Sequence, residues 1–554
     1  MRPIALPSTK LVSFLPAGVA ALVLSAVWGL GTDANPGPIG FRIDDAWIHM
    51  VYGRSLATEG LLAYNPGAPS TGATSPLWAG LLGLLHAALG ERSTDNLVWS
   101  VLGLGAILHV ALVHSSSQLI HQLTSDRKAA LVGALALGLS PQAAAAALSG
   151  MEVTLTALTL VVGLRLFLSK KILSAGLLLA LAAAARPEGA VVGVLVFGYW
   201  AFSCWAPSKP VRNAGHIARE GAALVAPAVL IGGAIVGWNL WASGAPLPAS
   251  FYVKEDLDLL ALGPRFVAGG LSILAGLSPL GGGVTLFLLW GLCLRPVSVS
   301  SVGPVASRGA RALPLAAAVV LLLANLITVN PIDPAAWYHI RYLLPVLPLL
   351  VIASAIGVST LDRVKPGLRP LALGAFLVVA LVQSGLTLGP VSHHLHNDTR
   401  NINEVQREIG TWLRGELKPG TWIASSDAGA VRYFSGLPTI DLLGLNTPLV
   451  NEGPTAWSAA RPVERLVLLP TWFRPRNLAQ VAVLHQAKTD NYSVTSNPAM
   501  AQQLVLACRG EDGETVLLEL EGNGQTVLSC TAGAPLLNPS GAAEAPRPAD
   551  KQPH

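Results

Sequence analysis

Residues 76–90 read PLWAGLLGLLHAALG, and how this run is placed decides how the whole chain threads a bilayer. If it crosses, every later apolar segment reverses direction. It falls short of the roughly 20 residues that a spanning helix needs. Around it lie apolar stretches at about 11–31, 97–120, 129–148, 151–168, 172–185, 188–205, 222–243, 266–294, 312–329, 342–360 and 371–389. The chain of 554 residues is 52% hydrophobic and only 12% charged. Soluble domains carry roughly 25% charged residues, so the composition is that of a polytopic membrane protein.

Positive charge settles the threading. If 76–90 lies along the outer surface as an amphipathic helix, then Arg127/Lys128, Lys170/Lys171, Lys209/Arg212/Arg219, Arg295/Arg308/Arg311 and Arg363/Lys365/Arg369 all fall on the side of the N-terminus. If it spans, all fall on the other side. The positive-inside rule favours the first threading at every loop. It predicts about 11 spans, with the N-terminus cytoplasmic and the C-terminus outside. The net charge of +5 is explained by these anchors. Few aromatics interleave with the bases, so no nucleic-acid face is expected. Arg2 and Lys10 before 11–31 imitate a secretory signal, but the run is long and lacks a clear small-residue cleavage site. It reads as an uncleaved first span.

With this threading, IDDAWIH (43–49), SGME (149–152), ARPEG (185–189), LPASFYVKED (247–256) and DPAAWYHIRY (333–342) share the outer face. Charged and aromatic loops converging on one membrane surface point to a site there. The domain reading is a transmembrane domain over 1–390, with a first outer loop at 32–96. A periplasmic α/β domain follows over 391–533, where TWIASS (421–426), RLVLLP (465–470) and TVLLEL (515–520) have strand character. The Pro- and Ala-rich tail 534–554 is expected to be disordered. Cys508 and Cys530 can pair if this part lies outside the cytoplasm. Cys204 and Cys293 fall in apolar segments and read as packing residues.

The ordered motifs IDDAWIHMVYGRSLATEGLLAYNPG, SPLW, SGME, ARPEG, FYVK and HIRYLLPVLP resemble those of GT-C glycosyltransferases. These are polytopic enzymes that take sugar from a polyprenyl-phosphate carrier on the outer leaflet. The branch with the most similar flavour contains bacterial cell-wall arabinofuranosyltransferases and related uncharacterised membrane proteins. TWIASSDAGAVRYFSGLPTIDLLGLNTP (421–448) resembles that branch's outer domain. The resemblance implies a bacterial inner (cytoplasmic) membrane location and a periplasmic active site. It implies a polyprenyl-phosphate sugar as donor and a glycan, lipid or protein hydroxyl as acceptor. The acid in the first outer loop then acts as base, matching Asp44 and Asp45, with the first acid most often in the role. The two juxtamembrane helices of such enzymes match about 44–59 and 76–90. The sequence singles out no cofactor and leaves use of a divalent cation open.

On that basis Asp44 is expected to deprotonate the acceptor for direct inverting displacement. Asp45 orients the acceptor or shifts its neighbour's pKa. Both acids also suit the start of the helix near Ala46. The donor phosphate needs cations, and the candidates are Lys254, Arg341, His339 and Arg186. Arg341 also fits an aromatic-belt anchor, and Lys254 a solvated loop charge paired with Glu255 or Asp256. Glu152 and Glu188 are candidates for acceptor or substrate binding. Glu152 equally suits a helix N-terminus, and Glu188 a local partner for Arg186. Tyr52, Trp78 and Tyr252 can stack on sugar or face lipid. SHHLHND (392–398) reads as a juxtamembrane linker, since no Cys supports a zinc site and the spacing is irregular. The Gly run 281–283 lacks the GK[ST] ending of a phosphate loop. No nucleotide-sugar or ATP motif is found. The rival readings are a lipid-linked saccharide transporter or flippase, and a catalytically inactive envelope scaffold. Transporter sites lie near the midplane in broken helices, whereas these motifs cluster at one face.

Overall fold

The computed structural model describes residues 9–30, 39–90, 93–205, 213–254, 308–328, 341–363 and 366–447. It also describes the strands Val463–Leu468, Val483–Lys488, Gln502–Ala507, Val516–Gly522 and Gly524–Cys530. Residue contacts divide the chain into two units. One is Met1–Ile39 with Thr74–His396. The other is Gly40–Ala73 with the chain from Asn397 onward.

The first unit is helical. In chain order its described helices are α1 (Thr9–Gly29), then, after the helix α2 assigned below, α3 (Pro76–Leu89), α4 (Thr94–Thr124), α5 (Arg127–Gly138), α6 (Pro141–Ala147), α7 (Val153–Leu168) and α8 (Ile172–Ala185). They continue with α9 (Ala190–Trp205), α10 (Ala214–Ser243), α11 (Ala249–Lys254), α12 (Arg308–Thr328), α13 (Val346–Ser359) and α14 (Leu368–Ile402). Their starts follow from side-chain caps. The Asp126 carboxylate accepts from the Lys128 and Ala129 amides at 2.9 and 3.1 Å, and the Ser140 hydroxyl accepts from Ala143. Gly105 lets α4 approach α6 closely, because a Cβ there would run into the Ala147 backbone, 3.0 Å from its carbonyl carbon. Small residues permit this kind of contact between apolar helices.

Five of the described helical runs are long and apolar enough to cross a membrane, or six if a bent pair counts as one span. The expected span 129–148 is the bent pair: α5 and α6 meet at 63°, because the Ser140–Pro141 step ends one helix and caps the next. The segments near 11–31, 151–168, 172–185 and 342–360 hold apolar stretches of only 10–17 described residues, as does 76–90. The segment 266–294 and residues 281–283 lie outside the described residues.

The second unit is α/β. It opens with α2 (Asp44–Glu59), which ends at the left-handed Gly60, and a short hairpin of β1 (Ala63–Asn65) and β2 (Ala68–Pro69). After α14 come α15 (Glu408–Glu416), β3 (Trp422–Ser425), α16 (Ala430–Ser435) and β4 (Thr439–Asp441). With β5 (Val463–Leu468), β6 (Val483–Lys488) and β7 (Gln502–Ala507) they build a mixed five-stranded sheet in the order β4-β3-β5-β7-β6. β3 runs parallel to β4 and β5, and the remaining pairings are antiparallel. β8 (Val516–Gly522) and β9 (Gly524–Cys530) pair as a separate antiparallel hairpin. The strand expectations at 421–426, 465–470 and 515–520 fall on β3, β5 and β8. Cys508 and the tail 534–554 lie outside the described residues.

The core of this unit joins Val405, Ile409 and Leu413 to Ile423, Val431 and Val467. α2 adds a second layer. Trp47 is fully buried and packs on Phe41, Tyr433 and Phe434 at ring-centroid distances of 4.7–5.1 Å. The loop 40–73 thus belongs to the core of the C-terminal unit, held by aromatic burial.

Candidate active site

Within the second unit, the acid pair opens α2. Asp44 Oδ2 accepts the Gly429 amide and Asp44 Oδ1 accepts the Ala430 amide, both at 2.7 Å. These amides stand at the start of α16, where backbone N–H groups lack helical partners. Gly429 is required by close approach: a Cβ there would meet the Asp44 carboxyl carbon at 2.7 Å and also collide with the Asp44 carbonyl oxygen. The loop between β3 and α16 carries a third acid, Asp427. Its carboxylate accepts from Gln406 Nε2 at 2.7 Å, and its carbonyl accepts the Ser425 hydroxyl at 2.6 Å.

Burial pushes the Asp44 carboxyl well above the usual carboxylate range, and the charge of Asp427 adds to this. The amides of Ala430 and Gly429 draw it back, and Asp45 pushes it up again. Burial likewise pushes Asp427 up to about 6, opposed by the Gln406 hydrogen bond and helped by Asp45 and Asp441. Asp44, Asp45 and Asp427 form one electrostatic group. Among the described residues, no set of three or more His, Cys, Asp or Glu is arranged to hold a metal ion.

Tyr52 lies deeper on α2 and is fully buried. Its hydroxyl is 2.8 Å from Ser70 Oγ and donates to Asn446 Oδ1 at 3.1 Å. Asn446 in turn donates its side-chain amide to the buried Asp441 at 2.8 Å. Tyr52 thereby ties α2 to the 441–447 loop. A buried ion pair, Arg42–Asp398 at 2.9 Å, fastens the start of this segment.

Within the first unit, a second group gathers four of the expected residues. The Arg186 guanidinium donates to Glu152 at 2.9 Å and to Glu188 at 3.5 Å. It lies over the Tyr342 ring at 4.7 Å, and the Arg341 guanidinium lies 5.2 Å from the same ring centre. Arg186 follows α8 in an extended conformation and Glu188 sits in the 3-10 turn Pro187–Gly189. Glu152 immediately precedes α7 without capping it through its side chain. Arg186 is thus paired with two carboxylates. Trp78 is buried and donates its indole N–H to the Gly150 carbonyl at 2.9 Å. Tyr252 is half-buried on α11 and packs edge-on against Phe251. His339 and the Lys254 side chain lie outside the described residues.

The sequence reading did not single out Asp427, Gln406 or Gly429. The signal was the Asp-Ala-Gly turn between a strand and a helix, inside a stretch read only for its overall resemblance.

Residues 398–518 match a family described as a domain of unknown function (DUF8728). No curated protein matches the chain. Solved structures resemble it, among them the following two. ArnT from Cupriavidus metallidurans bound to undecaprenyl phosphate superposes with a TM-score of 0.54 at 13% identity, over 90% of this chain and 98% of that one. The oligosaccharyltransferase of Archaeoglobus fulgidus, in complex with zinc and sulfate, superposes with a TM-score of 0.52 at 14% identity, over 83% of this chain and 68% of that one. At these identities the likeness is one of fold alone.

Proposed function

We infer that the chain is an integral-membrane glycosyltransferase that moves a sugar from a polyprenyl-phosphate carrier to a hydroxyl on the periplasmic side. The observation that carries this reading is the extent of the shared fold. It runs over 90% of this chain and 98% of a protein whose structure holds undecaprenyl phosphate. The placement of an acid pair at the start of α2 supports it further, because such a transfer needs a carboxylate near the acceptor.

In this reading a carboxylate of the Asp44/Asp45 pair removes the acceptor proton as the acceptor oxygen bonds to the anomeric carbon. The bond from that carbon to the phosphate oxygen breaks, and the polyprenyl phosphate leaves with inversion. The phosphate charge calls for cations, and Arg341, Lys254 and His339 are the proposed ones. Arg186 instead shapes the Glu152/Glu188 group, which is proposed to hold sugar or acceptor hydroxyls. The C-terminal unit is periplasmic, and the sugar is a pentose such as arabinofuranose or a hexose.

The test is turnover of labelled polyprenyl-phosphate sugars by purified protein in detergent, with an envelope extract as acceptor. Transfer without any ion gradient supports the enzyme and excludes a transporter. Donor binding without transfer favours a flippase or a scaffold.

A further inference from the structure

Among the described residues three arginines are buried: Arg42, Arg186 and Arg432, at 6%, 8% and 4% exposure. Arg42 and Arg186 each meet a carboxylate at 2.9 Å. Arg432, the most buried of the three, forms no ion pair among the described residues. Its Nε donates to the Tyr64 carbonyl at 3.1 Å, and its guanidinium carbon lies 5.9 Å from the centre of the Tyr64 ring. Its Nη1 is buried and makes no hydrogen bond. Buried charges are ordinarily paired, and buried donors are ordinarily used. Arg432 departs from both rules.

A second guanidinium adds positive charge at the same place. Arg54 on α2 donates its Nη1 to the Tyr433 carbonyl at 3.1 Å and lies 4.5 Å from the centre of the Tyr433 ring. Burial pushes the Arg432 pKa down to about 10, and the charge of Arg54 acts in the same direction, while Tyr64 and Glu59 oppose. The group therefore stays charged at neutral pH. Glu59 is exposed, and its Oε2 accepts the Gly67 amide at 2.9 Å. It answers Arg432 through its field, without an ion pair. A water molecule would use the Nη1 donor and leave the charge as it is. An anion answers the donor and the charge together.

We propose that the Nη1 end of Arg432 is a binding site for a small anion, of the size of chloride, formate or phosphate, and that the charge of Arg54 helps to hold it. The burial of Arg432 restricts the ligand to a small one. The proposal stands independently of the transferase reading. Occupancy reaches the acid group through one residue. Tyr64 accepts from Arg432 at its carbonyl and donates its hydroxyl to the Ala428 carbonyl at 2.7 Å. Ala428 directly precedes the two amides that hold Asp44. A bound anion therefore steadies the loop between β3 and α16.

The experiment melts the full chain in detergent at constant ionic strength, with sodium gluconate replaced stepwise by sodium chloride, formate or phosphate. Constant ionic strength removes general screening. Wild type is expected to gain melting temperature with at least one of the three anions, along a curve that saturates, as for a ligand that binds the folded state. Arg432→Gln keeps a donor for the Tyr64 carbonyl and should lose that rise. Arg54→Gln should keep the rise, with its midpoint shifted to higher anion concentration. Wild-type melting that ignores all three anions overturns the site and leaves Nη1 to water. An equal rise in Arg432→Gln also overturns it, and marks the rise as a general effect of the salt. If Arg432→Gln does not fold, Arg54→Gln decides, and an unmoved midpoint overturns the proposal.

Discussion

Glu152 and Arg186, 34 residues apart in sequence, form a buried ion pair at 2.9 Å, with side chains only 3% and 9% exposed. Charges this deep persist only when each is answered, and here Glu188 and the Tyr342 face complete the set. Removing one partner should therefore cost far more than a surface pair would. Arg186→Met is expected to destabilise the helical unit by about 3–5 kcal/mol, because it leaves two buried carboxylates facing each other. Glu152→Gln, which keeps a hydrogen-bond acceptor, should cost less. Thermal unfolding in detergent, followed by loss of monodisperse protein, measures both.

The buried pair Arg42–Asp398 gives a second prediction. Single changes Arg42→Met and Asp398→Asn should each destabilise the α/β unit by about 3–5 kcal/mol. The double variant should recover a large part of that loss. A double-mutant cycle on melting or protease resistance reads the coupling, and simple additivity would show that the pair acts independently.

Asp427 predicts a pH dependence of stability. Its folded pKa of about 6 lies above the usual carboxylate value of 3.8, so the folded chain holds a proton that the unfolded chain releases first. The resulting stabilisation is complete below about pH 4 and is lost as pH rises through about 6. Asp427→Asn should therefore be more stable than wild type at pH 7–8, by up to about 3 kcal/mol for a shift of about two units. The two proteins should converge near pH 4. Melting curves from pH 4 to 8 test this, and a constant difference across the range would refute it.

Truncation gives the last prediction. Trp47, Tyr52 and Tyr64 are fully buried, and the Tyr64 hydroxyl donates to the Ala428 carbonyl at 2.7 Å. A chain ending at 396 would uncover all three. It should aggregate in detergents that keep the full chain monodisperse, and size-exclusion profiles of the two proteins would show the difference.

Much of the helical architecture is legible in the sequence. The helices at 44–59 and 76–89 are bounded by residues that signal ends, such as Gly60 and Pro76. The bend at Ser140–Pro141 is also written there, but the apolar stretch before it and the alanine run 143–147 after it hide it from a hydropathy window. The membership of residues 40–73 is not legible. It depends on Trp47, Tyr64 and Asp44 meeting partners hundreds of residues away, and no local periodicity encodes that. The Glu152–Arg186–Glu188 group was visible as separate motifs. That Arg186 spends its charge on the two glutamates emerges only from packing.

The remote pairing of α2 also fixes a schedule. Asp44 leaves the ribosome 385 residues before Gly429 does. At about 5–20 residues per second, the interval is roughly 20–80 s. Throughout that time Trp47 lacks Tyr433 and Phe434, and Tyr64 lacks Ala428, so the nascent chain carries a partly uncovered aromatic patch while its helices are being inserted. A later-made part of the chain completes the fold of an earlier one.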